Sequence, residues 1–323
     1  MMKLKAARNV LMLCVMTGVA SIEAHRLTHE PLAAATADFI AAPTALANAV
    51  GTVASNVRAS HVGFDTNIYP GDGAMDAWRR SGEYEWVGYY LKGACHSDGS
   101  WSGKRARLTD AGWGLAVIYV GQQTWGKQLD VTTTKKVITV KSKKSKHVKH
   151  ITRTMTRKST VPVANASDGC SASYVNTAQG LIDARDAIAK TAREGFPRGT
   201  TVFLDVEPMN GSVPQRMRDY YREWAQTVLD DGRYRPGIYA HTKNASTIYD
   251  DVSDVYDDAG VTGDPAFWIA GSSGFSTDKQ PTDVGHTFAT AWQGVLDVMR
   301  THNGVKLPVD ISVASVASPS AVQ

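Results

Sequence analysis

Between residues 60 and 315, short apolar runs alternate with amphipathic segments, and this alternation constrains the fold more than any other feature. The runs predict strands at 61–67, 86–91, 115–120, 200–207, 236–241, 266–270, 287–293 and 306–311. Helical patterns lie between the earlier ones and are sparse between the last three. Alternating strands and helices indicate a parallel sheet, and eight units in about 260 residues fit a closed barrel better than an open sheet. We therefore predict an α/β fold, a TIM-like (β/α) barrel with eight strands and about five helices.

The fourth of these strands ends in two carboxylates. It is β-branched and apolar, and it carries Asp205 and Glu207 two residues apart. Side chains alternate along a strand, so both acids point to the same face. Charge at the end of a buried strand is costly unless it is used or paired. The two acids are therefore predicted to be functional, with a structural ion pair to Lys or Arg as the alternative.

Other acids and aromatic rings are predicted at the same end of the barrel. In a barrel of this kind the active site lies at the carboxyl ends of the strands. The predicted strand ends carry Asp65, Asp205, Glu207 and Asp310, together with Tyr239, Trp268 and Trp292. We expect them to meet at one rim. The alternatives are loop caps for Asp65 and Asp310, and barrel core for the three aromatic residues.

Several carboxylates with aromatic rings and no cluster of Lys or Arg suggest sugar chemistry. Glycosidases need one protonated acid for the leaving oxygen and one ionised acid for the cationic centre. Crowding of like charges raises one pKa and so provides the acid. A divalent metal is the other chemistry for such acids. The chain has no two-His motif and no Asp-x-Asp loop, so we expect neither a metal nor a cofactor.

One segment of the chain is strongly basic. The stretch 127–158 carries eleven Lys and Arg and a single acid, and the remainder carries 24 basic and 30 acidic residues. Two Thr/Val/Lys-rich runs around a Lys-Ser-Lys-Lys-Ser-Lys tip predict a β-hairpin inserted at 127–160. It is either a solvated arm or a contact, from Lys127 to Lys158, for an anionic envelope polymer. Lys outnumbers Arg and no aromatics interleave, so nucleic acid is disfavoured.

The N-terminus resembles a secretory signal peptide, with early Lys and Arg residues, an apolar run and small residues. We predict a signal peptide at 1–24, a linker or leader at 25–59, the barrel at 60–315 and a tail at 316–323. Export would be to the periplasm or the medium. A disordered or loosely helical N-terminus is the alternative. The apolar run is too short to span a membrane, so no transmembrane segment is expected in the mature chain.

Removal of the predicted signal peptide on export would leave two cysteines, Cys95 and Cys170. In an oxidising compartment two cysteines suggest one disulfide. Two unpaired buried thiols are the alternative.

Several of these segments resemble a known group. Residues 63–67 (GFDTN), 203–207 (FLDVE), 236–239 (PGIY), 267–270 (FWIA), 291–293 (AWQ) and 309–312 (VDIS) appear in that order. Over about residues 60–315 the chain is similar to the glycoside hydrolase family 25 lysozymes. It resembles more closely the bacterial glycoside-hydrolase-like family known as domain of unknown function 1906.

The resemblance implies an enzyme that cleaves a β-1,4 bond of peptidoglycan or a related N-acetylated glycan. Glu207 would be the general acid. Asp205 would be its carboxylate partner, either as a nucleophile or as a group that orients the substrate acetamido group. Asp65 and Asp310 would flank the pair, and Tyr239, Trp268 and Trp292 would line the sugar subsites. The alternative is a non-catalytic glycan or cell-envelope binding protein that keeps the barrel and is tethered by its basic hairpin.

Overall fold

The computed structural model describes residues 60–125 and 169–322. The predicted signal peptide at 1–24, the leader at 25–59 and the whole of the basic hairpin at 127–160 lie outside the described residues, so these predictions stay open. No helix among the described residues is both long and apolar enough to cross a membrane.

The described residues form eight strands and five α-helices, as predicted. The strands are β1 (His61–Asp65), β2 (Trp86–Leu91), β3 (Gly114–Val120), β4 (Thr201–Val206), β5 (Arg235–His241), β6 (Ala266–Ala270), β7 (Ala289–His302) and β8 (Val305–Ala314). The helices are α1 (Asp72–Arg79), α2 (Arg105–Asp110), α3 (Thr177–Arg193), α4 (Gln215–Asp231) and α5 (Thr242–Asp258). Short 3₁₀ turns occupy Ala172–Tyr174 and Pro281–Val284.

The strands close into a barrel in chain order, which confirms the predicted TIM-like architecture. The expectation of a fully parallel sheet is wrong in one respect. Strands β1 to β7 run parallel, but β8 is antiparallel to both β7 and β1. The reason is the connection between β7 and β8, which consists only of Asn303 and Gly304 with φ of 47° and 80°. A two-residue turn of this kind joins antiparallel strands, whereas a parallel pair needs a long crossover.

Large aromatic side chains fill the barrel interior. The indole rings of Trp86 and Trp268 meet edge to face with their centroids 5.3 Å apart, and both side chains are buried. Gly63 makes room for the first of them, since a Cβ at this position would lie 2.1 Å from the Trp86 ring. The interior is therefore a packed core below the carboxyl ends of the strands, and it confines solvent to that end.

The end of the chain is hydrogen-bonded to the opposite end of the barrel. Ser320 Oγ accepts a hydrogen bond from Val117 N at 2.8 Å, and the Ser320 carbonyl accepts one from Thr201 N at 3.0 Å. Ser318 Oγ accepts from Leu115 N at 3.0 Å. The described part of the predicted tail thus caps the amino ends of β3 and β4.

The predicted disulfide is confirmed. Cys95, in the loop after β2, is bonded to Cys170, which lies 75 residues further along the chain. A cross-link of this span removes conformational entropy from the unfolded chain, worth about 4–5 kcal/mol at most.

A buried aspartate joins helices α4 and α5. The carboxylate of Asp251 accepts hydrogen bonds from Arg218, whose Nε lies 2.8 Å away, and from the hydroxyl of Tyr221, with Arg222 also in contact. Burial alone would raise the pKa of Asp251, but these partners outweigh it and lower the pKa below its usual value. The charged form is therefore the one that stabilises the fold.

We expect Asp251→Ala to lower the free energy of unfolding by about 2–4 kcal/mol at pH 7, because Tyr221 and Arg218 lose their carboxylate acceptor. Asp254→Ala is the matched control. The Asp254 side chain is 68% exposed and lies 3.5 Å from Arg222, so its loss should cost no more than about 0.5 kcal/mol.

Urea denaturation of the two variants measures this difference. A lowered pKa means that the contribution of Asp251 is present above the unfolded pKa near 4 and is lost as the pH falls through the lower folded pKa. The difference in the free energy of unfolding between wild type and Asp251→Ala should therefore become smaller in acid. Equal losses in the two variants at pH 7 would contradict the assignment.

Candidate active site

A cavity of about 590 Å³ opens at the carboxyl ends of the parallel strands. All four predicted acids line it, and so do Tyr239 and Trp268. The residues come from β1, β4, β5, β6 and β8, or from just beyond them, so the barrel gathers side chains that are far apart in the chain. Cys95 lies on the wall of the same cavity, and its disulfide therefore fixes a loop of the rim.

Strand pairing places the acids. Asp65 on β1 lies directly opposite Asp310 on β8. Asp205 on β4 pairs with Tyr239 on β5, which in turn pairs with Trp268 on β6. The expectation that Asp310 lies near the carboxyl end of its strand is wrong. It lies in the middle of the antiparallel β8, and it reaches the rim through its pairing with Asp65.

Gln293, on β7, holds these side chains together. Its Nε2 donates to Asp65 Oδ2 at 2.9 Å and to Asp310 Oδ2 at 3.2 Å, and its Oε1 accepts from the hydroxyl of Tyr239 at 2.6 Å. One neutral amide therefore bridges two acids and an aromatic residue from three different strands.

Asp65 is a buried acid with two donors. Tyr90, on β2, donates its hydroxyl to Asp65 Oδ1 at 2.7 Å, and Gln293 donates to the other oxygen. Burial and the charge of Asp310 nevertheless raise the pKa of Asp65 to about 7. Asp65 therefore exchanges its proton near neutral pH.

The side chain of Gln123 fixes the end of β4. Its Nε2 donates to the carbonyl of Asp205 at 2.8 Å, and its Oε1 accepts from Glu207 N at 3.2 Å. This pair of bonds holds the backbone between the two acids in one conformation. Their side chains therefore keep a defined orientation toward the cavity.

The two acids of this strand end differ in their surroundings. Asp205 Oδ1 is buried and has no hydrogen-bond partner among the described residues. Burial, and then the charge of Glu207, raise the pKa of Asp205 well above its usual value. Glu207 is only partly buried, and its pKa is raised by burial and then by the charge of Asp310. Both groups are held toward their protonated forms.

Asp310 is held by a bulge in β7. The regular pairing of β7 with β8 shifts between Gln293 and Val298, and within this bulge Asp297 has a φ of 53°. The amide of Asp297 donates to Asp310 Oδ1 at 2.6 Å. Burial raises the pKa of Asp310, while this hydrogen bond acts against the increase.

Two of the three predicted aromatic residues line the cavity. Tyr239 is partly buried, and Trp268 contributes to the wall although its side chain is only 1% exposed. Trp268 Nε1 donates to Ser312 Oγ at 3.2 Å. Trp268 is therefore mostly core, with one edge toward the cavity.

The third prediction is corrected. Trp292 is fully buried outside the cavity wall, where its Nε1 donates to the carbonyl of Gly271 at 2.6 Å and its ring meets Phe275. Trp292 follows Ala291, which pairs with the inward-facing Trp268, so alternation along β7 turns Trp292 to the other face. The same alternation turns Gln293 into the barrel.

Sequence reasoning missed three residues of the site, namely Tyr90, Gln123 and Gln293. Parity alone could not identify Tyr90 or Gln293, because no residue of the second strand had been assigned to the interior and Gln293 alternates with Trp292, which the sequence analysis placed at the rim. Gln123 lies in the loop after β3, where no periodicity applies. Among the described residues, no group of three or more His, Cys, Asp or Glu side chains has the arrangement of a metal site.

Comparisons with known proteins give one family. A family model described as "Rv2525c-like, glycoside hydrolase-like domain" matches residues 76–314. No match was found among curated proteins.

Several solved structures are similar to this chain at low identity, and three of them follow. An uncharacterized B. stearothermophilus protein is 17% identical, with 79% of this chain and 95% of that chain covered and a TM-score of 0.48. The spore cortex lytic enzyme SleM of Clostridium perfringens is 14% identical, with coverages of 79% and 67% and a TM-score of 0.45. The muramidase from Acremonium alcalophilum is 15% identical, with coverages of 78% and 92% and a TM-score of 0.42.

The coupling between Asp65 and Asp310 can be measured directly. In Asp310→Asn the pKa of Asp65 should fall below about 7, because a neighbouring negative charge is lost. It should stay above the ordinary aspartate value near 4, because burial is the larger cause. An NMR titration of the Asp65 carboxyl carbon in the two proteins provides the measurement. An unchanged pKa would show that the two carboxyls do not interact.

Proposed function

Since this chain belongs to the family of Rv2525c-like, glycoside hydrolase-like domains, we propose that it hydrolyses β-1,4 glycosidic bonds of peptidoglycan or a related N-acetylated glycan. The observation that carries the proposal is the convergence of four acids with raised pKa values on one cavity beside aromatic rings. Glycoside hydrolysis requires a protonated carboxyl group next to a sugar ring, and a raised pKa provides it.

Glu207 is the general acid in this proposal. It is the partly exposed member of the β4 pair and lines the cavity. Its pKa is raised by burial and by the charge of Asp310, which favours the protonated form that a general acid needs. A carboxylic acid at this position can protonate the oxygen of the leaving sugar, and the hydrogen bond that its backbone N–H donates to Gln123 Oε1 keeps it in place.

Asp205 orients the substrate rather than attacking it. Burial disfavours its charged form, which makes it a poor nucleophile at rest. Its Oδ1 lacks a partner among the described residues, and a buried polar atom of this kind favours a ligand that can pair with it. The acetamido group of an N-acetylated sugar offers both a donor and an acceptor. Asp65 and Asp310 flank the pair and set its electrostatic environment.

The proposal includes export to the periplasm or the medium. Support comes from the disulfide between Cys95 and Cys170, since such bonds persist in oxidising compartments. It also comes from the signal-peptide pattern of residues 1–24.

The test uses purified peptidoglycan and mass spectrometry of the released fragments. We expect Glu207→Gln to lower the rate of hydrolysis by about 10²–10⁴, the usual contribution of a general acid. Glu223→Gln is the control, because it removes the same charge from helix α4, outside the cavity. The rate of the wild-type protein should fall as the pH rises above the pKa of Glu207.

Two results would count against this function. One is a Glu207→Gln protein that releases fragments as fast as wild type, which would contradict the assignment of Glu207 as the general acid. The other is tight binding of the glycan by wild type without any new reducing ends, which would instead support a non-catalytic binding protein.

A further inference from the structure

The walls of the cavity carry acids without matching basic groups. Its lining includes six carboxyl groups, those of Asp65, Asp98, Asp205, Glu207, Asp297 and Asp310. In the part of the chain that the structure describes, no Lys or Arg lines it. Two histidines do, His96 and His241, but burial lowers the pKa of both and favours their neutral forms. A cavity of this kind repels anionic ligands and attracts cationic ones.

Three of the acids form a wall shared with a second cavity. This smaller cavity, of about 240 Å³, lies between the end of β1 and the β7–β8 hairpin. Asp65, Asp297 and Asp310 line both spaces. The excess of negative charge is therefore concentrated on one side of the larger cavity, next to a space large enough for a sugar substituent.

Asp297 is held on this wall by its backbone. It adopts the left-handed conformation, which side chains other than Gly, Asn and Asp rarely adopt. Its backbone N–H donates a hydrogen bond to Asp310 Oδ1 at 2.6 Å, and its side chain lines both cavities. The bulge therefore presents a carboxyl group to both cavities.

The rim above the acids is apolar. Ile68 and Trp125 are each 61% exposed, and Leu296 is 46% exposed, and all three line the larger cavity. Exposed apolar side chains around a polar pocket fit the C–H faces of sugar rings. The ligand therefore combines a saccharide body with a local positive charge.

We propose that the wall formed by Asp65, Asp297 and Asp310 binds the protonated 2-amino group of an N-deacetylated hexosamine, so that the preferred glycan is partially deacetylated. The inference rests on the proposed function and specifies its substrate. An ammonium group offers three donors to the three carboxyls. A metal ion would be the other cation, but the described acids do not have the arrangement of a metal site.

The electrostatics give this recognition a defined pH dependence. A bound ammonium favours the charged form of each neighbouring carboxyl and so opposes the effect of burial. Affinity for the amine should rise as Asp65 ionises toward pH 7. It should fall again in alkali, where amines comparable to an α-amino group lose their proton near pH 8.

The test compares two tetrasaccharides that differ at one group. Both are β-1,4-linked tetramers of N-acetylglucosamine, and one carries a single free 2-amino group. Isothermal titration calorimetry with the full-length wild-type protein at pH 6.5 should show at least about tenfold tighter binding of the amine form, the effect of one charge-assisted hydrogen bond. The preference should disappear at pH 9 and weaken in high salt.

Two variants test whether Asp297 is responsible for the preference for the amine form. Asp297→Asn keeps the side-chain shape and tolerates the left-handed backbone equally well, and it should reduce the preference severalfold. Asp258→Asn removes the same charge from the exposed end of α5 and should leave the preference intact.

The outcomes separate this inference from the proposed function. Equal or tighter binding of the fully acetylated tetramer, or a full preference in Asp297→Asn, would overturn the inference while leaving Glu207-dependent hydrolysis untouched. Amine-selective binding without any hydrolysis would support the inference and contradict the proposed catalysis.

Discussion

The antiparallel pairing of β8 is the constraint on which the site depends. This strand closes the barrel by pairing with β7 on one side and β1 on the other, and its register sets Asp310 opposite Asp65. Side chains opposite each other in an antiparallel pair have Cβ atoms about 4.5–5.5 Å apart. The two acids are therefore brought together by the backbone. A parallel β8 would have brought its last residues to this rim instead, and Asp310 would have faced the packed interior.

Gln293 stabilises the close approach of Asp65 and Asp310 without neutralising their charges. Its amide donates to both acids and accepts from Tyr239, so each of the two carboxyl groups has a neutral donor. Because an amide carries no charge, it leaves the repulsion between Asp65 and Asp310 in force, and that repulsion contributes to the pKa of about 7 at Asp65. A lysine at this position would pair with both carboxylates and lower both pKa values. The neutral bridge thus preserves the acids as proton carriers.

Much of this arrangement follows from strand parity. The strand that ends in Asp205 and Glu207 could be identified from its composition, and the alternation of its side chains placed both acids on one face. Parity alone did not separate Trp268 from Trp292 or place Gln293 inside, because this depends on the pairing of Trp268 with Ala291, a register that the sequence does not supply. The sequence also indicates the direction of β8, since Asn303-Gly304 is a strong signal for a two-residue hairpin. The sequence does not indicate the contacts of Gln123 or the bulge at Asp297, because loop contacts and bulges leave no periodic pattern.

Burial is the largest cause of the raised pKa at each of the four acids, so the acidity of the site depends on the core beneath it. Gly63 lies two residues before Asp65 on the same face of β1, and its lack of a side chain admits the Trp86 ring. That ring packs against Trp268, which forms part of the cavity wall. The tryptophan pair fills the barrel below the acids and excludes water from that side. A glycine in the interior of a strand thereby contributes, through packing and desolvation, to the protonation of carboxyl groups that it does not contact.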